Sequence, residues 1–483
     1  MENKDLNKNN IYNSIATFIN ILFPLITFPY VTRVLGVAGI GKYNFSNAII
    51  SYFNLIATLG ISSYAVRECA KLKENRKELS SLASEIYSID IYSTIIAYIL
   101  LFVTLLISAK LKNYISYILV LSISFIANTI GTSWICNAVD DFKYLSFRTI
   151  VNQILSLLSI FLFVKSENDL IKYVMIIVFV NFIANMHTVF YRKKYVDVSF
   201  KIFPNIKRHL KKIILLFSQN ISMLLYTNAD MVMLGYFGND EIVGLYALAV
   251  KIYNVINGVI ASVIGVATPG LSYDYAHSDF TSFNKKITYV VNYILFLFIP
   301  AFIGINLLAP DIIKLVSGYA FALSVGALRI LTISMLFSLI SAVLGLGILF
   351  PMGYDRVNFN SCIVSAVSNI ILNLYFIPRY GVYGAAITTA TAELLGFINK
   401  IKYIDKNIRI NSFTKSFIKY LIGGIIVGIV CVVAKKYMGS TNINTLITIV
   451  VSALFYFIYL LVIKDEFFIN LIKPIIVKIF KNV

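Results

Sequence analysis

The sequence predicts an all-α polytopic membrane protein of about fourteen transmembrane helices. Hydrophobic residues make up 59% of its 483 residues and charged residues only 13%, far from the balance of a soluble globular chain. Fourteen apolar runs approach the ~20 residues that an α-helix needs to cross a ~30 Å hydrocarbon layer. Lys and Arg gather in every second connection between those runs.

The N-terminal ten residues, MENKDLNKNN, are polar and mixed in charge. Spans one to six follow at 11–32, 44–66, 86–109, 114–137, 147–164 and 171–190. The first is too long for a secretory h-region, so it is expected to be retained. The stretch 191–212 is the longest polar segment, too short for a soluble domain and basic enough for a cytoplasmic surface loop. Spans seven to twelve read as 213–237, 242–268, 287–309, 322–349, 357–377 and 380–399, and spans thirteen and fourteen as 416–434 and 443–463. The tail 464–483 mixes Phe467, Phe468, Ile475 and Ile476 with lysines. It is expected to be a helix lying in the membrane interface, bent or started at Pro474.

Charge orients the chain. Of its 42 Lys and Arg residues, thirty fall at the N-terminus, in the even-numbered connections and in the tail, and ten in the odd-numbered connections. That count lets Arg148, Lys172 and Lys419 snorkel out of the first turns of their helices. The bias places both termini in the cytoplasm. The net charge of +19 then reflects topology and attraction to anionic lipid, and no nucleic-acid partner is needed.

Several motifs lose their usual meaning here. GVAGIGK at 36–42 matches the body of a phosphate-binding loop, but Tyr43 stands where Ser or Thr would hold magnesium. The segment also joins two membrane spans and not a strand and a helix, so a tight glycine turn is the better reading. Cys69, Cys136, Cys362 and Cys431 show no CxxC spacing, which supports neither a disulfide framework nor a metal site. His187, His209 and His277 have no neighbour at ligand spacing. No cofactor, metal or catalytic residue is expected. Gly424 and Gly428 form a GxxxG in span thirteen, read as a close helix contact.

Ionisable residues within spans are costly and normally face a cavity or a partner. Asp230 in span seven, Lys251 in span eight and Arg329 in span ten fall roughly 10–14 Å below the outer ends of their helices at ~1.5 Å per residue. Arg33 marks the outer end of span one; Asp90 and Glu393 lie in the inner half. The short GNDE loop makes spans seven and eight antiparallel neighbours. Two readings follow. Asp230 and Lys251 form a structural pair while Arg33 and Arg329 snorkel, or the cations line a water-filled cavity that accepts an anionic headgroup, with a carboxylate able to bind a proton or sodium ion.

Around these charges the chain resembles the polysaccharide transporters of the multidrug/oligosaccharidyl-lipid/polysaccharide exporter superfamily, nearest to the O-antigen and capsule repeat-unit flippases. The matching segments are FPYVTRVLG (28–36), GIGKYNFSNAIISYF (39–53), LGISSYAVRE (59–68), TNADMVMLGYFG (227–238), IVGLYALAVKI (242–252) and NIILNLYFIPRYGVYGAAITTATAE (369–393). An internal echo accompanies them: Leu35-Gly36, Gly41-x-Tyr43 and Asn54 are mirrored by Leu234-Gly235, Gly244-x-Tyr246 and Asn257. Such a repeat suggests two pseudo-symmetric six-helix lobes around a central cavity, with two C-terminal helices appended. The domains then read as an N-terminal lobe (1–190), a cytoplasmic linker (191–212), a C-terminal lobe (213–399), and spans thirteen and fourteen with the tail (400–483).

The resemblance implies a flippase, not an enzyme. Its implied substrate is an undecaprenyl diphosphate-linked sugar repeat unit, moved by alternating access across the bacterial cytoplasmic membrane for surface polysaccharide biosynthesis. The bilayer and this lipid-linked oligosaccharide are the expected partners, and a polysaccharide polymerase of the same pathway is a candidate. Arg33, Lys251 and Arg329 would contact diphosphate or acidic sugars, and Asp230 or Glu393 would take the coupling ion. A cation-coupled multidrug exporter of the same fold should instead favour acidic residues in its cavity. A membrane-embedded polymerase or ligase would want a large extracytoplasmic loop, and the longest outer connection has only about a dozen residues.

Overall fold

In the computed structural model, residues 2–404, 408, 413–439 and 441–480 are described, and they are almost entirely helical. The side chains of Ile475 and Ile476, and those of Lys4, Lys8, Lys406, Arg409, Lys478 and Lys481, which belong to the basic residues counted above, lie outside the described residues. In chain order the helices are α1 (Glu2–Thr58), α2 (Ile61–Ala70), α3 (Arg76–Ile107), α4 (Ala109–Lys112), α5 (Ile115–Gly131), α6 (Trp134–Ala138), α7 (Phe142–Phe163) and α8 (Leu170–Tyr191). There follow α9 (Ile206–Phe237), α10 (Asp240–Ala276), α11 (Phe280–Ser317), α12 (Ser324–Ala342), α13 (Asp355–Ile401), α14 (Phe413–Met438), α15 (Asn442–Val462) and α16 (Glu466–Phe480). Two units emerge, Met1–Ala247 and Leu248–Val483.

Among the described residues, ten stretches are long and apolar enough to cross a membrane. Two of them, Phe23–Ala70 and Asp355–Ile401, run to 48 and 47 residues, roughly 70 Å if straight and so more than twice a ~30 Å hydrocarbon layer. Each contains a glycine in a non-helical conformation at or near the junction of two expected spans: Gly36, between spans one and two, at φ 67°, and Gly381, at the start of span twelve, at φ 51°. Positive φ is open to glycine at little cost, which is why the breaks fall there. The phosphate-loop look-alike 36–42 therefore begins at the break inside a helix, and only Gly36 in it leaves helical geometry.

Span four ends earlier than its hydrophobicity suggests. Its helix α5 stops at Gly131, Thr132 turns left-handed at φ 44°, and α6 restarts at Trp134. Arg192 makes this break possible. Its guanidinium donates to the Ile130 carbonyl at 3.0 Å and to the Thr132 hydroxyl, and it lies over the Tyr87 ring. A cation on the last carbonyls of a helix satisfies acceptors the helix cannot and opposes the negative end of its dipole. Arg192, counted above as a surface charge, is buried.

The basic stretch after α8 is strapped to α3. The amides of Asp197, Ser199 and Lys201 donate to the hydroxyls of Ser80, Ser84 and Ser88 at 2.8–3.0 Å. Ser84 and Ser88 pass their own hydroxyl protons to the carbonyls one turn back, and Tyr92 continues the row by donating to the Ile202 carbonyl. The match is metrical: two extended residues advance ~6.6 Å and four helical residues ~6.0 Å.

In Leu248–Val483, Gly424 and Gly428 let α14 approach α11. A Cβ on Gly424 would lie 2.7 Å from Ile303 Cδ1, and one on Gly428 3.2 Å from Ile303 Cγ2, so the GxxxG is a packing surface. Phe296 on α11 forms an aromatic hub with Tyr420, Tyr456 and Phe468, and its carbonyl accepts from the Tyr456 hydroxyl at 2.8 Å. The terminal helix α16 starts at Glu466, ahead of Pro474. Asp465 fixes that start by accepting from the Phe468 amide at 2.8 Å and from the Lys419 ammonium.

Candidate substrate site

In Met1–Ala247, Arg33 is exposed on α1, three residues before the Gly36 break. Asp230 on α9 is buried, and its carboxylate accepts from the Tyr246 hydroxyl at 2.5 Å. Tyr52 of α1 is near enough to feel the Asp230 charge. A charge-assisted hydrogen bond of this kind makes a buried carboxylate tolerable where water is scarce.

In Leu248–Val483, Lys251 is half-buried on α10 and Glu393 is buried on α13. Glu393 lies within electrostatic reach of Tyr253 and of Lys400. Lys400 donates to the Ser341 hydroxyl at 2.8 Å and to its carbonyl at 3.1 Å. There α12 relaxes into a π-helical turn, Val343–Leu349, and Asn358 donates to the Gly345 carbonyl at 3.0 Å. Wider turns of this sort free backbone acceptors and recur at functional sites. Arg329, also on α12, is exposed, with Nε donating to the Asn306 carbonyl at 3.1 Å. The Asn306 amide reaches the Thr332 hydroxyl at 3.0 Å. Tyr253, Glu393 and Lys400 are thus brought together, while Arg329 keeps its charge toward the surroundings. Among the described residues, no group of three or more His, Cys, Asp or Glu side chains could hold a metal ion.

The feature that the sequence reading missed is a cavity of about 340 Å³ inside Met1–Ala247, lined by α1, α7 and α8. Five carboxamides, from Asn20, Asn152, Gln153, Asn181 and Asn185, face it together with Arg148, and no carboxylate does among the described residues. Arg148 Nη1 donates to Ser133 Oγ at 2.8 Å and Thr188 Oγ1 at 2.7 Å. It therefore turns inward and does not snorkel, because two hydroxyls and the cavity replace bulk water as its solvent. Gln153 donates to Asn20 at 3.0 Å and Asn152 to Asn181 at 3.4 Å. Attention to ionisable side chains alone passed over these residues. Their signal was the presence of Asn and Gln in mid-span, where polar groups are expensive without an aqueous or polar neighbour.

A family model described as polysaccharide biosynthesis protein matches residues 6–273. The chain belongs to that family. The chain is 22% identical over 393 residues to a putative O-antigen transporter of Shigella dysenteriae, covering 80% of this chain and 96% of the relative. It is 23% identical over 185 residues to a probable low-salt glycan biosynthesis flippase of Haloferax volcanii, covering 38% of this chain and 39% of the relative. Its fold matches that of the lipid II flippase MurJ in an inward closed conformation. The TM-score is 0.77 at 19% identity, over 95% of this chain and 99% of that one.

Proposed function

We propose that this family member is a flippase that moves a lipid-linked oligosaccharide from the inner to the outer leaflet of a bacterial cytoplasmic membrane, by alternating access, with both termini in the cytoplasm. The reading draws on relatives described as O-antigen transporter and glycan flippase. The observation that carries it is the composition of the cavity in Met1–Ala247: one guanidinium, five carboxamides and, among the described residues, no carboxylate. A cationic drug would find no counter-charge there, whereas an anionic, hydroxyl-rich headgroup finds donors and a cation. That weighs against the multidrug-exporter reading, for which acidic residues are needed. Moving such a headgroup unaided through hydrocarbon costs many kcal/mol, so a polar path is what the reaction requires.

The substrate in this reading is an undecaprenyl diphosphate-linked repeat unit. Arg33, Lys251 and Arg329 are the candidate contacts to its diphosphate or acidic sugars, and Asp230 and Glu393 the candidate coupling-ion groups. The two lobes suggested by the internal echo would supply the moving halves, and a polysaccharide polymerase would receive the product. The test is Arg329→Gln against Arg329→Lys in a strain lacking its own flippase, with membrane levels matched. In a cavity of reduced dielectric a unit charge near a diphosphate matters several-fold more than in bulk water. Gln is therefore expected to deplete surface polysaccharide and accumulate repeat units on the inner leaflet, and Lys to do so less. Normal surface polysaccharide with Gln would remove Arg329 from the site.

A further inference from the structure

We infer that the carboxamide-lined cavity between α1, α7 and α8 is a glycan subsite, which holds a sugar ring of the transported molecule through its hydroxyls. The inference rests on the lipid-linked reading above and adds where its saccharide part is recognised. At about 340 Å³ the cavity lies at the small end of the ~300–1,000 Å³ range of ligand pockets. Its depth is decisive: Asn152, Gln153 and Asn181 lie well inside membrane-spanning stretches, where side-chain amides are costly unless something polar meets them.

The chemistry selects hydroxyl groups over other partners. A carboxamide offers an acceptor oxygen and a two-hydrogen donor on one plane, and a sugar hydroxyl is both donor and acceptor, so each amide can pair with a vicinal diol. Cross-bonds use only part of that capacity. The Asn152 amide goes to Asn181, while Asn152 Oδ1 is buried with no hydrogen-bond partner among the described residues. A buried acceptor left unmade costs ~1–3 kcal/mol, which a donating sugar hydroxyl would recover. Asn181 and Asn185 spend donors on helix carbonyls at 3.2 and 3.0 Å, which locks their rotamers. Arg148, braced by Ser133 and Thr188, presents a further fork of donors at the α8 C-terminal end of the cavity. Tyr173, held edge-on to Tyr43 at 5.2 Å, adds an aromatic wall.

The test measures binding of three defined lipids to the protein in nanodiscs: undecaprenyl diphosphate alone, and the same lipid carrying one N-acetylglucosamine or one galactose. The wild type is expected to bind at least one glycosylated lipid about tenfold more tightly than the bare one, the gain from two or three hydrogen bonds. Asn152→Leu with Asn181→Leu is expected to erase that preference, read as the ratio of glycosylated to bare-lipid affinity, in a protein whose thermal unfolding shows that it is folded. Should the double variant lose the bare lipid too, Gln153→Met alone is judged by the same ratio. A wild type that treats all three lipids alike, or a variant that keeps the preference, overturns the subsite and leaves the lipid-linked reading standing. Failure of the wild type to bind any of the three removes both.

Discussion

Gly41 and Gly244 pack backbone against backbone. A Cβ on Gly41 would fall 1.7 Å from the Asp240 carbonyl oxygen, and one on Gly244 would fall 2.1 Å from the Val37 carbonyl oxygen. These are the glycines of the two Gly-x-Tyr echoes, and the tyrosine of the second, Tyr246, is the donor to Asp230. The echo therefore has a steric cause at its centre: neither position accepts a side chain without separating two helices. A neighbouring echo glycine behaves alike, since a Cβ on Gly235 would lie 2.0 Å from the ring of the buried Phe45. Gly41→Ala and Gly244→Ala are each expected to cost about 1–3 kcal/mol as overpacking. Gly258→Ala on α10, with nothing within 4 Å of its added Cβ, is expected to be neutral. Thermal unfolding in detergent compares the three, and equal midpoints for all would refute the close-packed contact.

Much of the fold is legible because membrane helices announce themselves by length and hydrophobicity, and the break at Gly36 falls between two apolar runs while that at Gly381 falls one residue into the run 380–399. The early stop of α5 was not legible. It depends on Arg192, 62 residues later in the chain, reaching the carbonyl of Ile130. The same reason hid part of the site. Reading Arg148 as snorkelling was reasonable from its place at a helix start, and only the tertiary neighbours Ser133 and Thr188 reveal that it faces inward. Of the two expectations for the tail, a start at Pro474 fails on a local point: Asp465 accepts from the Phe468 amide and begins α16 at Glu466.

The serine row on α3 predicts a graded loosening of the strap. Ser80, Ser84 and Ser88 each take one amide from 197–201. A single intramolecular hydrogen bond contributes ~1 kcal/mol, about fivefold in local opening. Each Ser→Ala change should therefore raise hydrogen exchange about fivefold at its own partner amide, and the triple change should raise it at all three. Exchange that stays slow in the triple variant would mean that the segment is held by other contacts.

Orientation is tested with cysteines read by an impermeant thiol reagent. Asn239 and Lys207 are exposed positions in Met1–Ala247. Cys362 is the exposed native thiol and is replaced by Ser first, while Cys69, Cys136 and Cys431 are buried. With both termini in the cytoplasm, a cysteine at 239 should react on intact cells and one at 207 only after permeabilisation. Asn239 also accepts from the Ile242 amide at 2.9 Å, so its replacement sacrifices a cap worth ~1 kcal/mol, small enough to leave the protein folded. The opposite labelling pattern would invert the orientation.

Asp141 gives a pH-dependent prediction outside the spans. It caps α7 by accepting from the Tyr144 amide at 3.2 Å, and it takes the hydroxyls of Tyr191 and Tyr195 at 2.6 Å each. Burial pushes its carboxyl up, but the hydrogen bonds from Tyr191, Tyr195 and Tyr144, with the nearby Lys194 charge, outweigh this and hold it below its ordinary value. A carboxyl whose folded pKa is depressed stabilises the fold above its unfolded pKa of ~4 and loses that contribution as pH falls through the folded value. Asp141→Asn keeps the shape and removes the titration. It should therefore unfold at a lower temperature than the wild type at pH 7, and the gap should close as the pH is taken well below ~4. A gap that is constant across that range would show that the Asp141 charge contributes nothing, and that the tyrosine pair recognises an acceptor oxygen of any kind.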